Sequence, residues 1–265
     1  MKTLLTLLLS ISLSSIALAG NSVFIEQIGT STDSEITIDI DGNNNAVNLT
    51  MEGTNNELDI TQEGNNNTVS WVSYWGSGKA WGGDLDGNNN TLKFEQYNTT
   101  GSDSNRIGFH MPGNSNELHI CQGATFSSST DTTCSGTTPN SEYGGHTVNL
   151  DVHANGNSIK VGQETGTGNA DHYAQIYYFG GDNNDTFLTQ KGNGNKTLNM
   201  IVRTDGGEQE LMQKGDGAHT ATIDLTGSYH TDMSMTQQGN TAQSYSLTQN
   251  CQTSGGCSVS VTQGN

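Results

Sequence analysis

From residue 21 onward the chain alternates inward and outward residues in short runs. The segment Asn56-Glu-Leu-Asp-Ile-Thr-Gln-Glu-Gly64 puts Asn56, Leu58, Ile60 and Gln62 on one face and acidic or Thr residues on the other. This is the period-two pattern of a half-buried strand ended by a glycine turn. The frame recurs at Asn21 to Gly29, Ser34 to Gly42, Asn45 to Gly53, Asn90 to Asn98, Asn105 to Gly113 and Asn116 to Ala124. It resumes at His146 to Ala154, Asn157 to Thr165, His172 to Gly180 and Asn184 to Gly192, and runs on through Lys196 to Thr204, Gly207 to Gly215, His219 to Gly227, Thr231 to Gly239, Gln243 to Cys251 and Cys257 to Asn265. Two weaker copies, Asn67 to Trp75 and Lys79 to Gly87, bring the total to about nineteen units. Irregular insertions interrupt the frame near 72–83 and 125–145.

One unit cannot bury its single apolar row. Stacked units place each row on the same row of the next, so a narrow core runs the length of the stack. The pattern therefore predicts an all-β fold, a β-solenoid with two units per rung, about nine rungs at ~4.8 Å spacing. Inward Gln recurs at Gln27, Gln62, Gln96, Gln122, Gln163, Gln190, Gln213, Gln237, Gln249 and Gln263. Asn stands six residues before the first six of these, at Asn21, Asn56, Asn90, Asn116, Asn157 and Asn184. A buried amide is costly unless paired; identical amides on successive rungs can satisfy one another and fix the register. His172 and His219 stand at frame positions usually held by Asn, which fits ladder or turn substitution.

Composition alone points elsewhere. Leu, Ile, Val and Phe supply 48 of 265 residues and the net charge is −18, values associated with disorder. With 34 Gly, 30 Asn and 15 Gln but only 2 Pro, the chain lacks the Pro-rich mixture of disordered segments, and a one-dimensional core needs few apolar residues per unit. The charge becomes an outward coat, carried by residues such as Asp39, Asp41, Glu52, Asp59, Glu63 and Glu95. Nine basic against 27 acidic residues disfavour nucleic acid and anionic lipid as partners. Residues 1–19 read as a secretory signal peptide: Met1-Lys2, an apolar run from Leu4 to Leu18, and a small-residue site at Ala17-Leu18-Ala19. Residues 20–265 are then the exported solenoid, with no later membrane span. Good units begin at Asn21 and end at Asn265 without an evident cap, which leads to the expectation of head-to-tail polymerisation into an open filament.

The N-x5-Q-x-G frame, with Asn shortly after each turn, resembles the curlin repeat of curli, the bacterial extracellular amyloid. Asn21 to Gly29, Asn56 to Gly64 and Asn116 to Gln122 carry the likeness best. The resemblance implies a structural subunit or nucleator rather than an enzyme, secreted through a dedicated outer-membrane channel with a periplasmic chaperone. It would polymerise with itself, and with a second curlin-type subunit, into cell-surface fibres that act in adhesion and biofilm. Where this chain departs, Ile40, Met51, Met111, Val152 and Val202 replace the inward Gln, and four Cys are present.

Cys121 and Cys134 flank the second insertion, and Cys251 and Cys257 flank a turn. Export makes disulfides expected; three pairings are possible, and sequence-local pairing fits the solenoid. Trp71, Tyr74, Trp75 and Trp81 crowd the first insertion, where they either cover an irregular rung or form an aromatic patch for a carbohydrate or another subunit. Asp39 to Asn45 and Asp84 to Asn90 miss the EF-hand register, so neither they nor the cysteine spacing implies a metal, and no cofactor motif occurs. The alternatives are a monomeric extracellular solenoid adhesin, a carbohydrate- or ice-binding protein and, last, a β-helix polysaccharide lyase, which wants longer rungs and a basic cleft.

Overall fold

A computed structural model of the chain describes residues 20–28, 34–69, 72–73, 80–81, 83–98, 104–126, 128–131, 133–134, 144–151, 155–165, 170–177, 181–203 and 205–264. The expected signal peptide lies outside them. All regular structure among the described residues is β: short strands stack in parallel as a solenoid of about eight turns.

Alternate units form two facing walls. The first wall begins with Ser22–Ile28 on Ala46–Glu52 and ends with His219–Gly227 on Gln243–Cys251. The second begins with Glu35–Asn43 on Glu57–Asn65 and ends with Thr231–Gln238 on Cys257–Gln263. Midway the second wall thins to bridges that keep the register, Glu57 to Thr91 to Glu117 to Ser158 and Gln96 to Gln122 to Gln163.

The two weak units expected at Asn67 to Trp75 and Lys79 to Gly87 do not stand on separate rungs. Thr68–Val69 pairs with the front of Ala46–Glu52, and Gly83–Asp86 pairs with its back. Together they fill one position in the first wall. Between them, Val72–Ser73 and Ala80–Trp81 pair as a separate antiparallel hairpin, Val72 opposite Trp81 and Ser73 opposite Ala80.

The turns explain the Gly and Asn content. Gly53 has φ +115°, and a Cβ there would lie 1.7 Å from the Gly87 carbonyl oxygen one rung on. Two residues later Asn55 takes a left-handed conformation, φ 55°, as do Asn44, Asn66 and Asn89 in equivalent turns. Asn is among the few residues that tolerate this region. Between the walls runs one apolar core, including Val47, Leu49 and Met51 from the first wall and Leu58 and Ile60 from the second. At Gly83 the ring of Phe109 from the next rung fills the space a side chain would need, and it stacks on Phe94 at 5.2 Å.

Candidate functional site

The second wall carries a continuous column of glutamines. The side-chain Nε2 of each donates to the Oε1 of the next: Gln62 to Gln96 (2.9 Å), Gln96 to Gln122 (2.8 Å), Gln122 to Gln163 (3.1 Å) and Gln163 to Gln190 (2.8 Å). It continues from Gln190 to Gln213 (2.9 Å), Gln213 to Gln237 (2.7 Å) and Gln237 to Gln263 (2.7 Å). Each Nε2 also donates across the core to a first-wall carbonyl, for example Gln62 to Ala46, Gln122 to Arg106 and Gln213 to Thr197. One amide thus ties rung to rung and wall to wall. Removing such a group strands its partners in a dry core, at about 1–3 kcal/mol per orphaned atom.

Gln27 and Gln249 are not in this column. They lie in the first wall, in register with Met51 and Leu225. The second-wall place before Gln62 belongs to Ile40, and Gln62 Oε1 has no hydrogen-bond partner among the described residues.

Asparagines form a second kind of column at the strand entrances. Asn56 Oδ1 accepts the backbone N–H of Asn90, Asn90 that of Asn116, Asn116 that of Asn157, and Asn157 that of Asn184, all within 2.8–3.0 Å. In the first wall Asn21 accepts from Asn45, and Asn45 from Asn67, both at 2.9 Å. Asn56 Nδ2 also donates to the Gly87 carbonyl, so the side chain braces the next turn.

Beyond Asn105 the first-wall entrance column changes chemistry. His146, His172, Lys196 and His219 occupy it in succession, each fully buried. The His146 and His172 rings stack at 4.9 Å. Lys196 Nζ donates to the carbonyls of Gly194, Gly215 (2.8 Å) and Gly217 (3.0 Å). His219 Nε2 donates to the Lys214 carbonyl, and its Nδ1 accepts from Gln243 N–H. Burial, with the neighbouring His172, pushes the His146 imidazole well below its ordinary value. Burial and then Lys196 lower His172 to about 4, and burial lowers Lys196 to about 8 against the pull of Asp216.

Cys121 is bonded to Cys134 and Cys251 to Cys257. The first bond helps hold the second insertion on the outer side of the second wall, where Lys160 Nζ reaches the carbonyls of Ser129 and Asp131 (2.9 Å). Of the aromatic group, Trp71, Tyr74 and Trp75 lie outside the described residues, and only the backbone of Trp81, in the hairpin, is described. Among the described residues no group of three or more His, Cys, Asp or Glu is placed to hold a metal ion, and no helix is long and apolar enough to cross a membrane.

The entrance Asn, the inward Gln and the turn Gly therefore act as one geometric unit, and residues 53–97 match the family model described as Curlin associated repeat. The chain carries a curlin repeat. The match supports assignment to the curlin-repeat family, a structural rather than catalytic one. It spans both Asn56 to Gln62 and Asn90 to Gln96, so the curlin frame includes the rung interrupted by the hairpin. No curated protein and no solved structure matches the chain.

Sequence reasoning grouped Gln27 and Gln249 with the ladder glutamines. It left out Asn45, Asn67, Asn105, His146 and Lys196. Sorting the units alternately into two walls is the signal that separates these sets, because a ladder joins every second unit.

Proposed function

We propose that this chain is a structural subunit, major, minor or nucleating, of a secreted curli-like amyloid fibre that serves adhesion and biofilm matrix formation. The curlin repeat and the β-solenoid fold fit a curli-like structural protein. The observation that carries the reading is the glutamine column. Its hydrogen bonds repeat from rung to rung, the kind of bond that inward amides in register could also make between two molecules. Since Ile40 holds the column's place on the first second-wall rung, such a junction would fall to the first wall. Consistent with this, Gln27 and Gln249 occupy the same inward place in the first wall on the two outermost described rungs. A head-to-tail contact would bring these two amides into ladder register, and a contact between unlike faces propagates as an open filament. The partners in this reading are further copies, a second curlin-type subunit, and the export channel and chaperone that such subunits use. The N-terminal signal peptide would direct export.

Seeding tests it. Residues 20–265, purified as monomer, should polymerise after a lag that a trace of sonicated fibre abolishes, and the fibres should give a ~4.7 Å meridional reflection. A persistent monomer unaffected by seed would overturn the proposal.

A further inference from the structure

The first-wall entrance column is built from two kinds of side chain. In the early rungs it is Asn21, Asn45, Asn67 and Asn105, amides that do not titrate. In the later rungs it is His146, His172, Lys196 and His219. Asn105 Oδ1 still accepts the backbone N–H of His146, at 3.3 Å, so the site is shaped for the amide that the imidazole replaces. Both ring nitrogens of His146 and the Nδ1 of His172 are buried without a hydrogen-bond partner among the described residues. An imidazole in that state is held neutral, because a proton added to it would gain neither water nor an acceptor.

The surrounding groups reinforce this. Asn105 lies above His146 and His172 below it. From the second wall Glu164 presents its carbonyl to His172 Nε2 at 3.2 Å, while its carboxylate pairs with Lys191 at 2.8 Å. Below, Lys196 adds a positive charge, with Asp216 the acidic group acting on it. The backbone at Glu164, Asp171 and Gly192 favours a charged His172 only in part against burial and Lys196. His219, at the end of the column, also feels Lys196. On the outer side Arg106, Asp171 and His172 border a cavity of about 360 Å3, which gives solvent a route to the column once it loosens.

We propose that the His146–His172–Lys196–His219 column is an acid-sensitive latch: closed while its imidazoles are neutral, it opens the later rungs locally on acidification and leaves the asparagine rungs intact. The latch belongs to the single molecule and does not depend on polymerisation. Groups with lowered values stabilise the closed form in their neutral state. That stabilisation is intact above the unfolded-state imidazole value and is lost as pH falls below it, down to the folded-state value. For His172, between an ordinary value of ~6.5 and the folded value of about 4, the local opening constant should rise about thirtyfold from pH 7.5 to pH 5.

The test is backbone hydrogen exchange on the monomer at pH 7.5 and 5, as protection factors corrected for the intrinsic pH dependence of exchange. Peptides from 172–177 should lose at least about thirtyfold in protection, those from 146–151 should lose protection in the same direction, and those from 46–52 and 57–65 should change little. The double substitution His146→Asn, His172→Asn should abolish the difference. Unchanged wild-type protection, or an equal loss in the double variant, overturns the latch. Should that variant not fold, the imidazole titration of His172 in the wild-type chain decides: a midpoint well below 6 supports the proposal and one near 6.5 contradicts it.

Discussion

The two walls share one frame and one kind of turn, yet they divide the polar work differently. In the second wall both inward polar places hold amides over most of the stack, the entrance Asn from Asn56 to Asn184 and the Gln from Gln62 to Gln263. In the first wall the place equivalent to Gln carries Met51, Leu85, Met111, Val202 and Leu225, and between Gln27 and Gln249 on the two outermost described rungs polarity is confined to the entrance. The cross-core bonds account for the asymmetry. A glutamine amide has two N–H donors; one runs along the axis and the other reaches a first-wall carbonyl. A facing glutamine column would compete for the same space, whereas Met, Leu and Val pack beside the amides and keep water from them.

If this division is right, damage should follow the wall. The largest effect should be common to both. Gly53→Ala and Gly42→Ala each place a Cβ within 2 Å of a carbonyl oxygen on the next rung, at φ +115° and +118°. Each should cost more than ~3 kcal/mol, seen as loss of a cooperative urea transition. Next comes a reciprocal pair. Gln122→Leu breaks the bonds with Gln96 and Gln163 and the bond to the Arg106 carbonyl, and should cost about 3 kcal/mol. Met111→Gln inserts an unpaired amide beside Leu85, its register partner, and should cost about 1–2 kcal/mol. Equal costs, or a stabilising Met111→Gln, would contradict the division. The smallest effect is electrostatic. Asp41 and Glu63 stack in register on the outer face, and burial, then Asp41, raises the Glu63 carboxyl. A raised group favours folding only while protonated, so Glu63 opposes the fold at neutral pH and the opposition fades on acidification. Glu63→Gln should raise the urea midpoint slightly at pH 7 and leave it unchanged near pH 4. This is opposite in sign to the histidine column, so acid should act in different directions on the two walls.

Much of this was legible in the chain. Alternation set the inward residues, and repetition of Asn56 to Gly64 set the stacking. Two features were not. The hairpin hides behind residues that themselves fit the frame loosely, so Asn67 to Trp75 and Lys79 to Gly87 read as two units although pairing to Ala46–Glu52 makes them one. Partnership of inward residues was also hidden. Alternation places Gln27 and Gln62 on the same kind of face, but it is the fold-back at each Gly/Asn turn that assigns them to opposite walls. His146 and Lys196 open units at the inward place that Asn56 holds in its own, but an imidazole and an ammonium there do not read as members of an amide column, and register with Asn105 is what joins them to one.

The central claim is that the ladder glutamines are locked amides and the first-wall pair is not. Side-chain amide exchange by 15N NMR on the folded monomer measures this directly. Gln96, Gln122, Gln163, Gln190, Gln213 and Gln237 should show slowly exchanging Nε2 protons, and Gln27 and Gln249 fast ones. Uniformly fast exchange across all eight, or protection of Gln27 and Gln249 equal to that of the column, would contradict it.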